Sequence, residues 1–582
     1  MLSSVLDEGR TKRRRRVYAC DSCYKKKIKC DGTLPKCDWC HLRNILCTYT
    51  RNQKPSQSSS RRPSQQKPQD HLTSGASTPI EQGGQGVQYL SRLPCPTPGP
   101  QPVAPQGFGA NICFAGQSLG NIGGFNGLPV FSPGGIEWIK ARTGQEVSLD
   151  WYQTVLIQAS CGIGDGDHPL PLPDIRLLRQ MLERYKTSVN YRLFPILNLA
   201  CFEHTIRAAY GHEVSHISPG SFSAKACIFA FMALSLFFAG DSQGDAIMHT
   251  DNYAREVSKT MPNILSESVT LDGLQAILML CFCCQAVSAD ILRLELLLSS
   301  AARYIFHLKG NIHPKSTEHD PLNAKIHVRN LFWLGFILDK VLSLRTGLQP
   351  LFDVLSCDLT LPEGNGIHDY DPTAFHTLIR LSLLKSDIYR GLYSLSALQK
   401  SDADLLATIR TLDIALEEWW SSVHRLSNDP NSNFILADFV FEMQYHYSMA
   451  AIHQASSRCT AWVLNQDTRA AGSSLAISIC AGRSVLNKFL QASPHLFGHQ
   501  LMLCLPELTL ATIHLFSNIL MNPLEPRSGQ DLNLMRKALT HVWKHMWQQA
   551  PVSFTAQVRL IERFMADLQR LAECAIRTAG RS

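Results

Sequence analysis

From about residue 150 to the C-terminus, large apolar side chains recur every three or four positions, and almost no strict alternation of apolar and polar residues separates these segments. That pattern predicts helices. The clearest case follows Asp174, a residue type that accepts hydrogen bonds from the free amides of a first helical turn. Ile175, Leu178, Met181, Leu182 and Tyr185 then share one face, and the segment stops near Phe194 and Pro195. Further helices are predicted over 222–239, 266–287, 289–308, 324–344, 375–398, 402–426, 434–455, 473–491, 499–521, 531–547 and 555–579. No repeat period is present, so the reading is one large all-α domain over 150–582 rather than a solenoid. The most apolar segment, 226–239, is shorter than the roughly 18–20 residues needed to cross a bilayer. It reads as a core helix, and no membrane partner is expected.

Ahead of this domain the pattern changes. Residues 50–129 are rich in Ser, Gln, Pro and Gly, including the run Ser56-Gln57-Ser58-Ser59-Ser60 and prolines 94, 96, 98, 100, 102 and 105. Too few large apolar residues occur to offset the entropy of ordering, which predicts a disordered linker over 50–129. A short island follows. Ser132 before Pro133 is a helix-start signal and Gly144 a stop, with Ile136, Trp138 and Ile139 available to pack.

The N-terminal stretch carries the chemistry. Cysteines stand at 20, 23, 30, 37, 40 and 47, which is two copies of one unit: a pair two residues apart, then a third six residues on. Pairs at that spacing can bite one ion, and tetrahedral sulfur ligation with no open position suits a structural zinc. Six sulfurs are too few for two separate four-cysteine sites, but they suffice for two ions if two sulfurs bridge. A disulfide cluster would require a secreted chain. Met1 is instead followed by Asp7, Glu8 and a basic run over 12–16, with no apolar signal segment, and the other cysteines are scattered as expected of a reducing compartment.

Charge follows the cysteines. Residues 1–70 hold 17 Lys or Arg against 6 Asp or Glu, leaving 39 against 42 for the remainder of the chain. The basic character therefore belongs to the cysteine module, as a nucleic-acid partner requires. Between Cys23 and Cys30 stand Lys25, Lys26, Lys27 and Lys29, a compact positive turn that can donate to guanine O6 and N7 and release counterions from phosphates. The plain alternative is a solvated charge run. His41, Leu42, Arg43, Asn44, Ile45 and Leu46 occupy the same gap of the second copy, which suits packing or phosphate contact. Arg13, Arg14, Arg15 and Arg16 can clasp phosphate beside the module or act as a nuclear localisation signal; both roles place the chain in the nucleus.

This cysteine pattern, with the Lys-rich first loop and Pro35 in the connection, resembles the fungal binuclear zinc cluster transcription factors. The resemblance implies a basic arm over 1–18 and a module over 19–49 built as two short helices around two structural Zn2+ ions. It implies that Cys20 and Cys37 bridge, that Cys23 and Cys30 complete one site, and that Cys40 and Cys47 complete the other. It further implies that Lys26 and Lys27 contact bases in CGG-containing double-stranded DNA. Tyr24 departs from the Arg common after the second cysteine of the family. Farther along, Arg329, Phe332-Trp333, Asp339-Lys340 and Gly347-Leu348-Gln349-Pro350 resemble the family's middle homology region, across 171–362. Phe332, Trp333, Phe336 and Lys340 also fit a buried helix with a charged edge. The implied function is sequence-specific regulation of RNA polymerase II genes, with a helical domain that answers to a small-molecule inducer or a coregulator. No heptad run follows the cluster, so a homodimer is expected only through the helical domain.

Two other motifs invite enzymatic readings. His212, Glu213 and His216 match the spacing of a zinc hydrolase, but Gly211 and the run Ser218-Pro219-Gly220 put them in a loop, where that chemistry needs a helix. Gly162, Gly164 and Gly166 with Asp165 and Asp167 form too short a run for a dinucleotide site, with no strand before it. The chain is therefore expected not to be an enzyme. A zinc scaffold that binds no DNA is the remaining alternative.

Overall fold

The computed structural model describes residues 19–25, 30, 36–37, 40, 47–48, 112–114, 117–122, 129–147, 169–211, 215–239, 244–287, 291–314, 320, 322–362, 372–427, 435–459, 469–492, 504–546 and 552–581. It divides into two compact units, Met1–Thr97 and Pro98–Ser582. The first contains one short described helix, α1 (Asp21–Lys25), with Cys23 buried.

The described part of the second unit opens with strands. β1 (Ile112–Phe114), β2 (Gln117–Ile122) and β3 (Pro129–Phe131) form an antiparallel sheet in that order, pairing Phe114 with Gln117 and Gly120 with Phe131. The expected linker over 50–129 thus ends earlier than its composition suggests. Its last part is held by packing that composition cannot report: Phe114, Leu119 and Phe131 are buried, and Phe131 stacks on Phe564 at 6.3 Å between ring centroids.

Helix α2 (Pro133–Thr143) has the expected punctuation. The Ser132 hydroxyl accepts from the Gly135 amide at 3.0 Å, and Gly144, at φ 66°, donates to the Lys140 carbonyl. The Thr578 hydroxyl donates to the carbonyl of Thr143 at 3.4 Å, which ties α2 to the last helix of the chain. The folded unit consequently begins ahead of residue 150, where the helical pattern alone would start it.

The other helices are α3 (Ile175–Thr187), α4 (Val189–Leu193), α5 (Leu199–Ala209), α6 (Ser221–Ala239), α7 (Gly244–Ser266), α8 (Leu271–Val287), α9 (Ile291–His307) and α10 (Ala324–Thr346). They continue as α11 (Pro372–Ile388), α12 (Asp402–Ser427), α13 (Ile435–Gln454), α14 (Arg469–Ala492), α15 (Leu505–Met521), α16 (Pro526–Met546) and α17 (Val552–Ala579). Asp174 caps α3 through the Arg176 amide at 2.7 Å, and Leu178, Met181, Leu182 and Tyr185 are buried. Ile175 is 36% exposed and leaves the predicted face.

Two predicted boundaries move. Helix α7 escapes the apolar pattern because it is polar over much of its length and contains Pro262, yet Val257 and Ile264 bury its inner face. The segment expected over 266–287 begins instead at Leu271, where the Thr270 hydroxyl accepts from the Gly273 amide. The segment expected over 375–398 ends as a helix at Ile388 and continues through a π turn, Tyr389–Tyr393, and a short 3-10 turn, Ala397–Gln399.

Two apolar cores result. One runs from α3 through α12 into α13; the other joins the sheet and α2 to α14, α15, α16 and α17. Helix α13 serves both, giving Tyr447 and Ala451 to the first and Phe439 and Met443 to the second. Phe332, Trp333 and Phe336 of α10 are fully buried, as a core helix requires. Lys340 is no charged edge. It is buried too, its ammonium donating to Asp339 at 2.8 Å and to the Phe352 carbonyl at 2.5 Å, because a buried cation is tolerated only with such partners.

Candidate metal centre and nucleic-acid interface

The metal centre follows from the internal repeat. Each copy places its first cysteine where the backbone amide faces the sulfur ten residues on: Cys20 N lies 3.5 Å from Cys30 Sγ, and Cys37 N lies 3.4 Å from Cys47 Sγ. Short α1 brings Cys20 and Cys23 onto one side, with the Cys23 amide 3.4 Å from Cys20 Sγ. The ends of the module are tied where Asp21 meets Thr48, through the Asp21 amide to the Thr48 carbonyl and the Thr48 hydroxyl to the Asp21 carboxylate, both 2.8 Å.

Two sets of four sulfurs result. Cys20, Cys23, Cys30 and Cys37 form one; Cys20, Cys37, Cys40 and Cys47 form the other, with all ligand atoms of a set within 4.8 Å of one another. Sulfur separations of 3.7 Å for Cys20 and Cys37, 3.6 Å for Cys20 and Cys40, and 3.7 Å for Cys23 and Cys37 bear on the fit of an ion. A tetrahedral zinc with Zn–S bonds of about 2.3 Å sets neighbouring sulfurs about 3.8 Å apart. The donors therefore fit two zinc ions, each with four thiolates and no open position for water.

The electrostatics agree. Burial would raise the Cys20 thiol, but hydrogen bonds from the Cys23 amide and from the thiols of Cys23, Cys40 and Cys37 outweigh it and bring Cys20 down to about 6. Burial pushes Cys23 up to about 12 and also raises Cys40. Thiols this crowded stay ionised together only with cations between them. Among the described residues, the groups able to hold a metal are these two cysteine sets.

Lys25 ends α1 and is exposed, beside Tyr24 at 63% exposure. Lys26, Lys27 and Lys29, together with Arg13, Arg14, Arg15 and Arg16, lie outside the described residues. So do His212, Glu213 and the 162–167 glycine-aspartate run. His216 falls in a bend after α5 has ended at Ala209 and Gly211 has taken φ 77°. No helix among the described residues is long and apolar enough to cross a membrane.

A buried polar cluster escaped the sequence reading. Lys385 donates to Gln444, and Gln444 donates to Glu507 at 2.9 Å, linking α11, α13 and α15. Burial lowers Lys385 to about 8 and raises Glu507. One lysine, one glutamine and one glutamate on three distant helices leave no local signal to find them by.

Residues 18–56 match the fungal Zn(2)-Cys(6) binuclear cluster domain, which binds two zinc ions through six cysteines, and residues 182–421 match the fungal specific transcription factor domain. Both describe transcription factors and not enzymes. Among curated proteins, the ABC-transporter-regulating transcription factors of Aspergillus oryzae and Aspergillus fumigatus are each 22% identical, over 91% of this chain and 70% of theirs. Activator of stress genes 1 of Saccharomyces cerevisiae is 48% identical over 52 residues, 9% of this chain and 5% of its own.

Proposed function

With the chain a transcription factor that carries both the binuclear cluster and the fungal regulatory domain, we propose that its first cysteine copy reads CGG-containing sites in the major groove. The observation that carries this reading is the pair of four-sulfur sets sharing Cys20 and Cys37; in the sequence, Lys25, Lys26, Lys27 and Lys29 fall between Cys23 and Cys30, two members of one set. Cys23 and Cys30 complete one zinc site, and Cys40 and Cys47 the other. Lys26 and Lys27 donate to guanine, while Lys25, Lys29 and the arginines at 13–16 hold phosphates. The chain acts in the nucleus on RNA polymerase II genes. It binds as a monomer or as a homodimer through the helical domain, which answers to a small-molecule effector or a coregulator.

Selection of DNA from a random library by the full chain, with zinc counted per chain, tests this. Enrichment of CGG triplets with two zincs per chain is expected, and their spacing reports monomer or dimer. Lys27→Ala should weaken the selected site by about 1–3 kcal/mol and relax one base pair. Unchanged affinity and selectivity in that variant would overturn the assignment. Promoters of ABC-transporter genes are the first natural sequences to test, because two relatives aligned over 91% of this chain carry that role in their names.

A further inference from the structure

Two adjoining concavities lie in the C-terminal core, beyond the 182–421 match. One, of about 440 Å³, runs between α14 and α16 and is lined by Arg483, Asn487, Arg527, Gln530 and Lys537 over a floor that includes Leu490 and Leu534. The other, of about 310 Å³, is walled by Leu475, Ile479, Met521 and Phe114, the last supplied by β1. Arg483 and Arg527 line both, so they stand where the polar cleft meets the apolar one.

The charges there are not all spoken for. Arg483 is fixed by two parallel bonds to Asp531, Nε to Oδ1 at 2.7 Å and Nη2 to Oδ2 at 2.8 Å, and the Asp531 side chain is only 3% exposed. That pair is neutral. Arg527 and Lys537 have no hydrogen bond or ion pair among the described residues, while Glu525 at the apolar rim adds a second carboxylate to that of Asp531. The two concavities together keep a net positive charge, concentrated on the polar side. Each has the size of a small-ligand site, and together they offer an apolar wall with a few convergent donors.

We propose that this site binds an amphipathic organic anion, its carboxylate at Arg527 and its apolar body against Ile479, Met521 and Phe114. The proposal deepens the effector reading given above and rests on it. Because Phe114 belongs to the first strand of the folded unit, a ligand seated here clamps β1 onto α14 and α15. Occupancy of the C-terminal core is thereby felt at the end of the segment leading from the zinc module. An acidic peptide would use the same cations but has no need of the apolar wall.

Octanoate and its neutral amide, octanamide, are the probes, titrated calorimetrically into the full zinc-loaded chain without DNA. One saturable octanoate site is expected, with octanamide at least tenfold weaker. Arg527→Gln, a surface change, should erase that preference, and Met521→Glu should weaken both ligands at least tenfold. Octanoate should also slow amide exchange in β1 and β2. No saturable binding, an equal affinity for the amide, or full octanoate binding by Arg527→Gln would each overturn the proposal, as would binding of a polyglutamate peptide with none of octanoate. DNA plays no part in these measurements, so a failure to select CGG sites and a failure to bind octanoate are separate results.

Discussion

Cys20 and Cys37 sit 3.7 Å apart, sulfur to sulfur, and each is the one residue of its copy that belongs to both four-sulfur sets. The position of each is fixed by the repeat itself, since both amides face the third cysteine of their own copy. Removing either sulfur leaves both ions with three thiolates. Removing Cys47 leaves the set of Cys20, Cys23, Cys30 and Cys37 whole.

The zinc count should separate these cases. Cys20→Ser and Cys37→Ser are expected to surrender both ions to a chelator in one phase, whereas Cys47→Ser should keep one slowly released zinc. Metal analysis after timed chelation, with the wild type releasing two, checks this. Equal behaviour of the bridging and outer variants would mean that the sulfurs are not shared as the geometry indicates.

Arg329 anchors a loop rather than a ligand. Its guanidinium, buried and lying over Phe332 and Trp333, donates to the carbonyls of Gly310, Asp358 and Thr360 at 3.1, 2.5 and 2.8 Å. Burial lowers it to about 10. Arg329→Ala should cost about 3 kcal/mol, because three carbonyls lose their donor. Arg329→Lys should recover little, since one ammonium cannot span the fork. Denaturant midpoints of the two variants, expected within a short distance of each other and well below wild type, decide the matter.

The close approach of α2 to β2 gives a sharper steric case. A Cβ on Gly135 would lie 2.0 Å from the carbonyl oxygen of Leu119, a backbone atom that cannot swing away. Gly135→Ala should therefore destabilise the packing of α2 on β2 by about 1–3 kcal/mol or more. Amide exchange in β2 should rise, while that of α10, in the other core, stays unchanged. Protection of β2 at the wild-type level would show that the helix can shift without cost.

The legibility of this chain varied with how local the cause was. The six cysteines were plain because metal ligation imposes spacing within 28 residues of sequence, and the capped helices α2 and α3 were plain because Ser132, Gly144 and Asp174 act on neighbours. The sheet was not. Its strands are only three to six residues long, with glycine inside β2 and proline opening β3, and Phe131 rests on Phe564, more than 400 residues away. Helix α7 failed for a similar reason, its inner face resting on few apolar residues. Lys340 was misplaced because a charged side chain reads as exposed until Asp339 and the Phe352 carbonyl are seen around it.

Asp272 gives the pH dependence. It lies in the first turn of α8 and accepts from the Thr205 hydroxyl at 2.6 Å. Burial raises it from 3.8 to about 6, with the Thr205 and Ser218 hydroxyls only partly offsetting that and Glu267 adding to it. Between those two values the folded chain binds more protons than the unfolded one, so this group makes stability fall as pH rises across the window. At about 1.36 kcal/mol per unit, the penalty near neutral pH is about 3 kcal/mol. Asp272→Asn keeps the acceptor for Thr205 and offers a donor to Ser218, so it should raise stability near neutral pH by about 1–3 kcal/mol. It should also flatten the slope between about pH 4 and about pH 6. Thermal midpoints across that range, for both chains, check the sign; a variant as steep as wild type would mean that the carboxylate is ionised at little cost.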